Sequence, residues 1–181
     1  AAEWAVLVGT GMTTAAITIL VNLHLRIPGH AILKVVFPIA AGLALVPRRG
    51  AGSIIGASAL VTALSMRMGG LGGAGLGFGA LTSLTLIGPL LDWMLRYARS
   101  SRSLYIGFIF AGLAGNLSAL LVRGTLKGLG LEHAGRRPLA LWLSQAAVTY
   151  TLCGIAAGLL SASVWFCARP PTRETEPEPR A

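Results

Sequence analysis

"LYIGFIFAGLAGNLSALLV", Leu104 to Val122, is nineteen residues without a charge. At 1.5 Å per residue a helix of that length is about 28 Å long, close to the hydrocarbon thickness of a bilayer. Gly107, Ala111, Gly115 and Ala119 recur at every fourth position within it. Residues four apart share a helix face, so the stretch predicts a membrane helix with a ridge of small side chains along one side. Helices in lipid gain little from hydrophobicity against one another and associate by close backbone approach. A small ridge of this kind therefore belongs to a bundle.

Outward from this span the chain repeats the pattern. Apolar runs cover Trp4–Leu23, Ala31–Val46, Ala51–Met66, Gly77–Leu95 and Leu139–Phe166. With Leu104–Val122 they predict an all-α integral membrane bundle of six transmembrane helices over residues 1–166. The second and third runs are short and the last is long. Trp4–Leu23 is too long, and too poor in flanking cations, for a signal peptide. Residues 167–181 carry "RPPTRETEPEPRA", rich in Pro and Glu, and are expected to be a disordered cytoplasmic tail.

Composition agrees. The 181 residues are 54% hydrophobic and 12% charged, about half the charge that covers a soluble domain. The net charge of +9 falls in short clusters between apolar runs, which suits an anionic lipid surface. Those clusters lack aromatic interleaving, so nucleic acid is not expected as a partner. Cys153 and Cys167 would stand about 21 Å apart on one helix, beyond disulfide reach.

Breaks between the spans carry helix-stop chemistry: "RIPGH" (Arg26 to His30), "PRRG" (Pro47 to Gly50) and "RYARSSR" (Arg96 to Arg102). With the N-terminus inside, the loops after the second and fourth spans hold Arg48, Arg49, Arg96, Arg99 and Arg102, against Arg26 and Arg67 outside. Arg123, Lys127, Arg136 and Arg137 oppose that bias, and Arg169 and Arg173 partly restore it. Both termini are expected to be cytoplasmic.

One motif invites an enzymatic reading. "MGGLGGAGLGFG", Met68 to Gly79, contains a literal GxGxxG from Gly70 to Gly75. A dinucleotide loop needs a strand before it, a helix after it and an acid on the ribose. Here the preceding segment is a membrane helix, and Asp92 lies at the far end of the next one, where it is expected to form a surface ion pair with Arg96. The match is a false positive. Seven glycines in eleven residues instead predict either a tight reversal or a pliable lid, with Gly72 and Gly75 at its centre.

Polar residues within spans are costly, which makes their depth informative. Asn22, His30, Lys34, Asn116 and Gln145, with Arg26 in the first loop, all map to the outer half, whereas the inner half is nearly bare apart from Asp92. His24, Arg26 and Arg123 are expected simply at the headgroup interface. For Lys34, Asn116 and Gln145, a cavity or an interhelical hydrogen bond is expected. Lys34 shares a face with His30 and has no nearby acid, a weak pointer to an anionic ligand. Phe78, Trp142 and Tyr150 are the aromatic candidates near that side for stacking on a flat solute. His24, His30 and His133 lack ligand spacing, so no metal site is expected. HExxH, GxSxG and carboxylate pairs are all missing, so neither catalytic residues nor a cofactor are expected.

Six short helices, the segment "LRIPGHAILKVVFPIAAGLALVPRRGAGSIIG" (Leu25 to Gly56), a glycine-rich third loop and a basic fourth loop together resemble the S component of energy-coupling factor (ECF) transporters. The resemblance is one of architecture and loop style over residues 4–166. It implies an ATP-driven micronutrient (vitamin or precursor) importer in a bacterial-type cytoplasmic membrane. Its solute would be captured outside by Asn22, Arg26, His30, Lys34, Gly72, Gly75, Asn116 and Gln145. It also implies a membrane T component and two ATPase subunits as partners, in keeping with the lack of a GxxxxGK[ST] sequence here. The family often packs an AxxxA pair of its first helix on the T component. This chain offers Ala5 with Gly9 and Gly11 with Ala15. Metal-specific relatives use a His close to the N-terminus, and "AAEWAV" has none. A cobalt or nickel uptake subunit and a non-transporting scaffold or assembly protein are the alternatives.

Overall fold

The computed structural model describes residues 2–21, 28–70, 77–98, 100–131 and 138–168. These form six helices: α1 (Ala2–Leu20), α2 (Ala31–Leu45), α3 (Ala51–Met68), α4 (Phe78–Tyr97), α5 (Ser101–Gly128) and α6 (Leu139–Ala168). No strand occurs among the described residues. Five of the helices are long and apolar enough to cross a membrane, and α2 is the shorter exception. The chain is an all-α, multi-pass membrane protein.

α2 is short because it is the core. It touches each of the other five helices, and ten of its fifteen residues are buried. The others form an arc around it in the order α1, α3, α4, α5, α6. Shielded on most sides, α2 need not match the full bilayer thickness itself. Its outward stripe is narrow: Phe37 and Leu45, eight residues apart, are exposed.

Glycine sets how closely the arc is wound. A Cβ on Gly52 would lie 2.6 Å from the Gly88 carbonyl oxygen, so α3 and α4 meet backbone to backbone. Between α5 and α6, a Cβ on Gly158 would lie 2.6 Å from the Phe108 oxygen, and one on Gly154 2.9 Å from the Leu113 Cα. Gly107 and Gly115 instead receive Met94 and Ile87 of α4. The small ridge of α5 is thus an internal packing surface. Gly11 likewise seats α1 on Ile55 and Ala59 of α3, and Ala15 is fully buried. That pair is buried between helices of the bundle. Ala5 is exposed and Gly9 half-buried, with nothing within 4 Å of a Cβ built on Gly9.

At the end where α2 and α4 finish, Asp92 does not pair with Arg96. Its carboxylate accepts from the backbone N–H of Gly52 (2.9 Å) and Ser53 (2.7 Å) and from the Ser53 hydroxyl (2.6 Å). Gly50, preceding α3 at φ +81°, has no side chain to cap the helix. Asp92 does so from α4, placing a negative charge where the α3 dipole is positive. The one ion pair among the described residues joins Arg48 to Glu3 at 3.8 Å.

Several boundaries move outward from those the apolar runs predict. α3 continues to Met68, α4 to Tyr97, and α5 runs from Ser101 to Gly128. The start of α5 is a capping box, with Ser100 accepting from the Ser103 N–H and Ser103 accepting from the Ser100 N–H. Serine reads as loop on hydropathy alone, yet here it opens the helix.

Candidate functional site

At the opposite end, where α1 and α3 finish and α4 and α6 begin, several segments meet on Tyr150. Its side chain is 2% exposed. The hydroxyl accepts a hydrogen bond from Arg123 Nη1 at 3.1 Å. Its backbone carbonyl accepts from Asn116 Nδ2 at 2.7 Å, tying α5 to α6 in the bundle interior. Gly29, at φ +90° before α2, lies flat on the ring: a Cβ there would sit 3.0 Å from Tyr150 Cγ. Only glycine combines that backbone geometry with so close an approach.

Arg123 reaches this point because Gly79 opens α4 without a side chain. A Cβ on Gly79 would stand 2.9 Å from Arg123 Cδ. The guanidinium then lies 6.0 Å from the Trp142 ring centroid, and the Lys127 ammonium lies 4.4 Å from the same ring. Two cationic side chains on one indole, beside a buried phenol, make a polar corner with an aromatic wall.

The predicted residues divide between this corner and other roles. Asn22, Arg26, Gly72 and Gly75 lie outside the described residues. Asn116 joins the Tyr150 cluster through its interhelical bond. His30 occupies the N-cap position of α2, directly after Gly29. Lys34 is 8% exposed and donates to the carbonyls of Thr18 (3.3 Å) and Val21 (3.0 Å). It caps the C-terminal end of α1, a favourable place for a cation, and those carbonyls stand where an anionic ligand was expected. Gln145 is exposed on α6. No group of three or more His, Cys, Asp or Glu that could hold a metal occurs among the described residues, and His24 and His133 lie outside them.

Arg123 is expected from sequence at the headgroup interface, and the structure gives it a different place. Ending α5 at Val122 put it in a loop at the headgroups, whereas α5 continues to Gly128 and carries it on the helix as a partner for Tyr150. Its spacing to Asn116 was the available signal: seven residues, two turns, one face. No family model matches the chain, and no curated protein or solved structure matches it.

Proposed function

We propose that this chain is the solute-capturing membrane subunit of an ATP-driven micronutrient importer of the ECF type, with the Tyr150–Arg123 corner as its binding site. The observation that supports this reading is convergence. The turn before α2, the start of α4, the end of α5 and the start of α6 all contribute to one polar, aromatic corner at one end of an apolar bundle. In this reading the corner opens to the outside of a bacterial-type cytoplasmic membrane, both termini are cytoplasmic, and a T component with two ATPases supplies the energy. Arg123 and Lys127 contact the polar part of the solute, and Trp142 stacks on its flat part.

The test is purification in mild detergent followed by mass spectrometry of small molecules released on denaturation. The wild-type chain is expected to carry one compound at near-stoichiometric yield. Arg123→Gln should lose it at least tenfold while still inserting and eluting as a monodisperse species. Lys34→Met should keep the compound and lose thermal stability instead, because its bonds go to α1. A wild-type protein that carries nothing, also when expressed with its T component and ATPases, overturns the proposal.

A further inference from the structure

The inner end of the bundle holds a separate open pocket of about 340 Å³. Arg48 and Arg49 reach it from the turn between α2 and α3, and Arg96 from the last turn of α4. Leu104 and Trp165 give it an apolar wall, and Asp92 lines it as well. We infer that this pocket binds a phosphate group, as a lipid phosphodiester or as the free anion.

The charge around it is the first reason. Three arginines and a single aspartate line it, which leaves a formal excess of two positive charges. That carboxylate already accepts three hydrogen bonds from Gly52 and Ser53. Arg48 is shared with Glu3, but at 3.8 Å and with both side chains more than half exposed that pair is weak. Neither Arg49 nor Arg96 has a carboxylate within ion-pair distance among the described residues.

The backbone supplies the second reason by elimination. Of the four N–H groups at the start of α3, Ala51 donates to Arg48, Gly52 and Ser53 to Asp92, and Ile54 to Gly50. None remains for an anion, so recognition falls to side chains. Guanidinium forks match phosphate oxygens in pairs, which an ammonium cannot do. Basic pockets among helix ends at a membrane face are where anionic head groups lodge. The apolar wall of Leu104 and Trp165 would then lie against glycerol and the first acyl carbons.

Native mass spectrometry of the full chain in detergent, titrated with phosphatidylglycerol or phosphatidylcholine, tests this. Phosphatidylglycerol is expected to bind saturably and at least tenfold tighter than phosphatidylcholine. Arg49→Gln with Arg96→Gln should remove that preference, and each alone should weaken binding about threefold, which preserves the test if the double variant folds poorly. Arg67→Gln, at the other end, should change nothing. Displacement of the lipid by millimolar inorganic phosphate would assign recognition to the anion itself, and resistance to it would assign recognition to the lipid. Both support the site. Equal binding of the two lipids without phosphate competition, or equal losses in the double variant and Arg67→Gln, overturns it. The solute-capture reading is unaffected by any of these outcomes.

Discussion

A half-buried carboxylate at the end of a membrane helix is stabilised by hydrogen bonds to both oxygens. Asp92 finds them forty residues away, on the uncapped start of α3. Removing it leaves two backbone donors and a hydroxyl without their acceptor. Asp92→Ala is therefore expected to cost on the order of 3 kcal/mol. Asp92→Asn should cost less, since its remaining oxygen still accepts while its NH2 now faces a donor. Unfolding curves in detergent measure both, and equal stability of wild type and Asp92→Ala would refute the capping role. Spacing made Arg96 the visible partner of Asp92, four residues on along the same helix. The actual partner is set by how α3 lies on α4, which hydropathy does not encode. Lys34 repeats the lesson. Its neighbour in sequence is His30, and its hydrogen bonds go to the last turn of α1.

Among whole helices, small-residue periodicity was the legible signal, and it identified packing faces correctly on α5 without identifying their partners. Gly107 and Gly115 lie on α4, whereas Gly112, one step round the helix, lies on Gly154 and Gly158 of α6. Two partners for two faces follow from the position of α5 between α4 and α6 in the arc. Close approach at Gly158 predicts a sharp contrast between glycines. Gly158→Val would press a side chain into the Phe108 and Ile109 backbone, where no rotamer gives relief, and should cost about 3 kcal/mol or more. Gly9→Ala meets open space and should be neutral or raise stability by up to about 1 kcal/mol through helix propensity. Thermal melts of the two variants read the difference directly. If Gly9→Ala also leaves stability intact but abolishes co-purification of a T component, the outward face of Ala5 and Gly9 is the partner contact.

Taken as a molecule, the bundle has two ends of different chemistry, and the count of six helices was legible because Pro, Gly or Arg stands at or near the ends of the apolar runs. The centrality of α2 was not legible: a short run reads as a weak span, and only the arc of five neighbours explains how fifteen residues suffice. Arg48, Arg49, Arg96 and Arg102 cluster at the end where α2 and α4 finish. At the other end, Arg123 and Lys127 are drawn onto Tyr150 and Trp142, so they report on a site as much as on topology. Discounting them strengthens the charge bias behind the expectation that the Arg48 end is cytoplasmic. The chain carries its own reporter for this. Cys167 is exposed at the last turn of α6, at the Arg48 end. In a Cys153→Ala background, a membrane-impermeant maleimide should label Cys167 only after cells are permeabilised. With both native cysteines removed, Met68→Cys, at the opposite end and 89% exposed in the wild-type residue, should be labelled in intact cells. The reverse pattern would put the Tyr150–Arg123 corner inside the cell, where it could not capture a solute for import.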